Sequence, residues 1–262
     1  MKILVCMKQV PAGTKVDIDP ETGAMKRLSG ETRTNPYDLF ALEAALQLRE
    51  KVGGSVTVLT MGPPQAEEMM RDAYTMGADD AIILSDRKFA GADVLAKSYR
   101  LSQGITAIGD IDLIICGKQT TDGDTAQVGP AIAEHLGIPH AAWVSEIVDA
   151  DSESIQVKQD LVSVSQTSKI PYPCLITVDK DMCVPRLPSY LLQKQSKDRP
   201  VKIMTFEDMA DQNLSKYGLV GSPTAVEKMF APPEVEKQVY FDGDAKEKTK
   251  QLFDVLVNKK VI

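Results

Sequence analysis

The sequence holds only two histidines and four cysteines, and Cys6, Cys116, Cys174 and Cys183 stand far apart with no Cys-x-x-Cys pair. Zinc and iron–sulfur sites need ligands clustered at short spacing. No metal site is therefore expected, and the cysteines read as small buried fillers of strands. His135 and His140 lie near a helix end with no Gly-x-Ser-x-Gly elbow to accompany them, so no catalytic side chain is assigned and His135 is expected to face solvent. Basic residues are outnumbered, 30 against 37, for a net charge of −7. With no Lys/Arg cluster dense enough to follow a phosphodiester backbone, nucleic acid is excluded as a partner. Long apolar runs are missing too. Met1 to Val10 carries only a few apolar residues before Lys8, too few for a signal-peptide core or a membrane span. The expectation is a cytoplasmic chain with no membrane insertion. Nucleotide-hydrolysis and Rossmann fingerprints fail as well: Gly104 to Gly109 has the glycine spacing of a Walker A loop but runs into Asp110-Ile111, and Gly-x-Gly-x-x-Gly does not occur.

What is present is the texture of an ordinary globular protein, 43% hydrophobic and 26% charged over 262 residues. That is enough for one large α/β domain plus an extension. Short apolar runs at Ile3 to Met7, Val56 to Thr60, Ala81 to Leu84 and Asp112 to Cys116 alternate with helical patterns. The first helix starts at Asn35-Pro36, with Asn read as the cap and Pro at the first helical position, and its face is Leu39, Leu42, Ala45 and Leu46. Gly62-Pro63-Pro64 opens a second with Ala66, Met69, Met70 and Ala73 inward, the methionines read as core. A third carries Val94, Leu95, Ser98, Leu101 and Ile105 on one side, and a fourth Val128, Ala131, Ile132 and Leu136. Continuous apolar strands alternating with helices predict a mostly parallel sheet with helices on both faces.

Pro11 to Thr34 is a long polar excursion, with a hairpin expected around Asp19 to Gly23. After Pro139, Trp143 to Val148, Ser154 to Lys158 and Leu161 to Ser168 look like shorter polar-alternating strands added antiparallel, and Cys174 to Val178 returns to a buried run. From Pro185 the periodicity weakens until Asp244-Ala-Lys-Glu247, a capping-box pattern, starts a last helix bearing Leu252, Phe253, Leu256 and Val257. The division drawn from this texture is an α/β domain over 1–200 and an arm over 201–262.

The chemistry concentrates in the loop Gly117 to Thr125. It follows a strand's carboxyl end and enters a helix N-terminus, where free amides and the helix dipole favour an anionic phosphate. Gly123 is read as letting the backbone turn closely, while Thr121, Thr125 and Gln127 offer neutral hydrogen bonds to phosphate or ribose. Asp122 and Asp124 work against a phosphate unless they cap the helix or accept ribose hydroxyls. An ordinary strand–turn–helix with an Asp cap stays open. Pattern alone reaches a nucleotide-binding α/β protein and stops there.

Several stretches together resemble the electron-transfer flavoprotein beta subunits: Val5-Cys-Met-Lys-Gln-Val-Pro11, Asn35-Pro-Tyr-Asp-Leu-Phe-Ala-Leu-Glu43, Met61-Gly-Pro63 with Arg71 to Asp79, the run from Gly117 to Pro130, Val178-Asp-Lys-Asp181 and Pro185-Arg186. The resemblance implies an adenine-nucleotide-hydrolase-like fold. It also implies that Cys6, Lys8, Asn35, Asp38, Met61 and the loop Gln119, Thr121, Asp122, Gly123, Asp124, Thr125, Ala126, Gln127 and Val128 surround the adenosine and phosphates of a cofactor.

Members of the family divide between AMP and a second FAD that accepts hydride from NADH and splits the electrons. FAD is favoured here, because Pro11-Ala12-Gly13-Thr14 is small beside the first strand and Asp122-Gly-Asp-Thr-Ala-Gln127 resembles the bifurcating branch. Chemistry would then belong to the flavin and not to side chains, so whether the chain counts as an enzyme is left open. The partners implied are an alpha subunit carrying its own FAD, on which the terminal helix would pack, and an acyl-CoA or 2-hydroxy-acid type dehydrogenase docked at Leu187, Tyr190, Leu191 and Leu192. A stand-alone ATP or AMP sensor is the remote alternative.

Overall fold

Ile3, Leu4 and Val5 are each almost wholly buried, as a strand covered on both faces requires. They form β1 (Lys2–Cys6) of a nine-stranded sheet. The computed structural model describes residues 1–12, 32–161, 163–227 and 239–262, with the backbone of Asp17–Ile18 and Met25–Lys26. The hairpin expected around Asp19 to Gly23, and Gly13-Thr14, lie outside the described residues. Around the excursion, β2 (Gln9–Pro11) pairs antiparallel with β5 (Thr32–Thr34), and β3 (Asp17–Ile18) pairs with β4 (Met25–Lys26).

Helix α1 (Pro36–Val52) starts with proline at its first position and ends at Gly53, whose φ of 78° only glycine adopts readily. Asp38 in the first turn and Arg49 and Lys51 in the last suit the helix dipole. Strand β6 (Ser55–Met61) follows, then α2 (Glu67–Met76), β7 (Asp80–Leu84), α3 (Val94–Ile108), β8 (Leu113–Gly117) and α4 (Val128–Leu136). Odd-numbered β1 residues Ile3 and Val5 pack with α1 and α2, including Leu42, Leu46, Met69 and Met70, while Leu4 packs with Leu101 and Ile105 of α3 and Ile132 of α4. Each fully buried leucine or isoleucine of these layers contributes about 1.5–3 kcal/mol. The methionines are core, as expected. Leu95 is not: it is exposed, and Ala96, Ser98, Arg100 and Leu101 take the inner face of α3.

The remaining strands are β9 (His140–Ala150), β10 (Ser154–Leu161), β11 (Val164–Pro171) and β12 (Cys174–Val178); a short helix α5 (Tyr190–Gln195) precedes β13 (Lys202–Met204). The order is β11-β10-β9-β12-β8-β1-β6-β7-β13. Antiparallel pairing joins β9 to β10 and β10 to β11, whereas β9 itself runs parallel to β12. The antiparallel addition expected of Trp143 to Val148 therefore holds only on the β10 side of β9, because polar alternation marks a half-covered strand and not its direction. Strand β13 extends the parallel sheet beside β7 and falls beyond residue 200, a three-residue strand too short to leave a periodic pattern.

The chain divides into two compact units, Met1–Asp17 with Lys26–Glu227, and Ile18–Met25 with Lys228–Ile262. In the second, α6 (Ala245–Asn258) begins with the expected capping box, Asp244 accepting from the Lys246 and Glu247 amides and Glu247 accepting from the Asp244 amide. Its Leu252, Phe253 and Val257 are exposed. Among the described residues no helix is long and apolar enough to cross a membrane, and no cluster of three or more His, Cys, Asp and Glu is placed to hold a metal.

Candidate functional site

Chain order runs from β1 outward through β6 and β7, then returns to the other side of β1 as β8. The strand order therefore reverses between β1 and β8, and in open parallel sheets the crevice outside the carboxyl ends at such a reversal accepts ligands. Cys6 and Cys116 are register partners at that edge. A hydrogen bond with Cys6, followed by burial, pushes the Cys116 thiol well above its usual range, so Cys116 is an inert neighbour rather than a nucleophile. Cys174 is buried in β12, but Cys183 is half-buried outside any strand, its sulfur 3.5 Å from the Phe40 carbonyl oxygen.

Asn35 is fully buried and does not cap α1. Its amide nitrogen donates to Asp38 Oδ1 and the Gln119 carbonyl, each at 2.9 Å, and its Oδ1 accepts from the Thr121 amide at 3.2 Å. The side chain joins two loops instead of ending a helix, which composition at a single position cannot reveal. Asp38 accepts from the Lys8 amide at 2.7 Å and from the Gly117 amide. Burial pushes its carboxyl up to about 7 against these hydrogen bonds. At Gly117 a Cβ would lie 2.4 Å from Asp38 Oδ1, so the close approach of α1 to β8 requires glycine there.

The two carboxylates that work against a phosphate are both engaged. Asp122 is gripped by Lys8 Nζ at 2.6 and 2.7 Å, and Asp124 accepts from Gln119 Nε2. Neither caps α4, whose first residues Val128 and Gly129 have no side-chain cap. The helix thus presents bare amides at the crevice. Gly123 does not have left-handed backbone and a Cβ there meets nothing closer than 3.6 Å; the unusual backbone is at Asp124 and Ala126, with φ of 51° and 53°. Left-handed non-glycine residues cost of order 1 kcal/mol and gather at ligand sites. Thr125 and Gln127 are exposed beside them, and Met61 ends β6 on the face shared with Cys6.

Sequence reading missed a second group at this edge. Lys118 pairs with Asp179 at 2.8 Å and its ammonium lies 4.4 Å from the centre of the Trp143 ring. Trp143 has φ of 60° at a bulge where its amide donates to Thr177 Oγ1. The available signal was Asp179 just after a buried strand.

The stretch expected to dock a dehydrogenase lies elsewhere. Leu187, Tyr190 and Leu191 are exposed, while Leu192 turns inward toward Gly77 at the end of α2. Leu192 lines a cavity of about 190 Å³ together with Arg49, Arg186 and Arg199. His135 is exposed, as expected, its ring edge-on to Tyr99.

Fold and edge together define a mostly parallel α/β protein whose strand order reverses between β1 and β8, with a loop and a helix N-terminus at the carboxyl edge of that reversal. Comparison with known proteins gives this class a family. Residues 22–210 match the profile of the electron transfer flavoprotein domain. The chain is 42% identical to the electron transfer flavoprotein subunit beta of Thermoanaerobacterium thermosaccharolyticum over 100% of both chains. It is 44% identical to protein FixA of Azorhizobium caulinodans over 88% of this chain and 85% of that one, and 43% identical to the caffeyl-CoA reductase-Etf complex subunit CarD of Acetobacterium woodii over 89% and 88%. The chain belongs to the electron transfer flavoprotein family.

Proposed function

We propose that this chain is an electron-transfer flavoprotein beta subunit whose carboxyl-edge crevice holds the ADP half of an FAD. The observation that carries the reading is the uncapped N-terminus of α4 facing a loop pinned by Asn35 and strained at Asp124 and Ala126. The donor set fits that group: bare amides suit a phosphate, and Thr121, Thr125 and Gln127 offer neutral partners to ribose and phosphate. Asn35 and Asp38 hold the loop in place, and Lys8 neutralises Asp122, removing the repulsion an anionic ligand would meet. When bound, FAD would supply the chemistry of taking hydride from NADH and splitting its two electrons, one going uphill to a low-potential one-electron acceptor and the other through the FAD of an alpha subunit to a dehydrogenase of acyl-CoA or 2-hydroxy-acid type. Everything else asked of this chain is binding and orientation. The exposed apolar side of α6 suits packing on the alpha subunit, and Leu187, Tyr190 and Leu191 suit docking of the dehydrogenase. A reductase complex among the relatives supports a partner of that kind.

The test is the cofactor content of the co-expressed heterodimer. Two FAD per heterodimer with no AMP, and loss of both flavin absorbances on adding NADH, are expected. One FAD together with one AMP would overturn the FAD assignment and leave a simple electron carrier. A colourless chain that purifies alone would overturn the subunit reading.

A further inference from the structure

Helix α3 reaches the same edge as α4 and packs against it. The charges at its start do not balance. Asp93, its cap, is fully occupied, accepting from the Ala96 amide at 3.1 Å and from the Thr224 amide and hydroxyl at 3.1 and 2.7 Å. Asp122 is taken by Lys8. Lys97, one turn into the helix, is half-buried, and its ammonium makes no hydrogen bond or close ion pair among the described residues. A turn further, Arg100 is completely buried; Nη1 donates to the Phe89 carbonyl and the guanidinium lies 4.7 Å from the centre of the Phe89 ring, but Nε and Nη2 have no partner. Three cations thus stand near two carboxylates that already have partners. Burial, followed by the neighbouring charge of Lys8, holds the Lys97 ammonium below the usual lysine range; Asp122 pulls the other way, Arg100 adds to the lowering, and Asp93 again opposes it. A partly desolvated cation with no counter-charge in contact is unfavourable until an anion arrives.

We propose that Lys97 is a phosphate-binding residue of the crevice, its ammonium contacting a phosphate of the bound adenine nucleotide across from the bare amides of α4. The assignment rests on the reading that this edge holds an adenine nucleotide, and it adds a ligand that the loop motif does not contain. Arg100 is too enclosed to touch the nucleotide and acts through its field.

The experiment uses the alpha–beta complex stripped of nucleotide and titrated calorimetrically with AMP, which carries the phosphate next to the ribose, and with adenosine, which carries none. Lys97→Gln is expected to weaken AMP at least tenfold, about 1.4 kcal/mol, while adenosine stays within twofold; Lys97→Arg should recover most of the loss. Equal AMP affinity in Lys97→Gln and wild type, or an equal loss for adenosine, overturns the phosphate contact while leaving the nucleotide site standing. Wild-type complex that binds neither compound overturns the site itself. A second measurement needs no variant: acylation of Lys97 in the wild-type complex, followed by peptide mass spectrometry, should slow in AMP and not in adenosine. Unchanged labelling in AMP overturns the proposal.

Discussion

Helix α1 buries two carboxylates, Asp38 near its start and Glu43 little more than a turn later, both only 4% exposed. Glu43 faces a guanidinium: Arg186 Nε and Nη2 reach its two oxygens at 2.8 and 3.0 Å, the Arg186 amide adds a third bond, and Gln47 a fourth. Burial raises its pKa, but the bonds and charge of Arg186 prevail and hold it below the usual range. Asp38 receives only neutral donors at close range, with Lys8 bonded through its backbone, and there burial prevails, pushing it up to about 7. A counter-charge in contact fixes one carboxylate as a structural anion. Its absence leaves the other poised to change charge beneath the ligand crevice.

The largest effect expected from this contrast is in the pH dependence of stability. Asp38 is raised in the folded state, so the fold binds its proton more tightly than the unfolded chain does. Its contribution is complete below the unfolded value of 3.8 and is lost as pH rises through about 7. The span is on the order of 4 kcal/mol. Urea unfolding from pH 5 to pH 8 should show stability falling in the wild type and a flatter profile in Asp38→Asn; parallel profiles would show that Asp38 titrates as an ordinary carboxyl. Glu43 has the opposite sign, stabilising above 4.5 and losing its contribution as pH falls through its lower folded value.

Glu43→Gln removes the counter-charge of a guanidinium that is partly enclosed and also bound to Glu50 at 2.6 Å. Breaking a buried pair costs about 3–5 kcal/mol. Because the Arg186 side chain is 32% exposed, about 2–3 kcal/mol is expected here, read as a lower urea midpoint at pH 7. A change under about 0.5 kcal/mol would mean that Arg186 is adequately served by Glu50 and water.

These two sites differ in how far the sequence displays them. The Gly117 to Val128 loop was legible because strand, turn and helix start are consecutive, and its place at the crevice follows from the alternation of strands and helices. The Asn35 side chain was misread because a cap is a local rule, whereas its partners Gln119 and Thr121 are brought in by the β1–β8 pairing. The partners of Glu43 and Lys118 lie far along the chain, at Arg186 and Asp179, and no spacing announces such pairs. Gly123 attracted attention as a glycine in a loop, yet the glycine that geometry requires is Gly117.

Gly117→Ala sharpens that last distinction. The new methyl would stand 2.4 Å from Asp38 Oδ1 and 2.8 Å from the Tyr37 backbone, and backbone cannot yield as a flexible side chain can. About 2 kcal/mol of destabilisation is expected, with weaker nucleotide binding as Asp38 and Asn35 are pushed apart. Gly123→Ala, whose Cβ finds ordinary space, should stay within about 0.5 kcal/mol of wild type. Equal losses at the two positions would mean that the 117–127 loop, and not the approach of α1 to β8, sets the sensitivity.

The smallest effect separates strain from simple packing. Ala126 holds φ of 53°, and Ala126→Gly relieves about 1 kcal/mol of left-handed strain while giving back part of that through the greater freedom of glycine in the unfolded chain. Urea unfolding should therefore show stability unchanged or raised by up to about 0.5 kcal/mol. Nucleotide affinity should fall in the same protein, because the loop would no longer be held in one arrangement before the ligand arrives. A loss of stability greater than about 1 kcal/mol would show that Ala126 is valued for its packing, and would move the strain at this crevice to Asp124 alone.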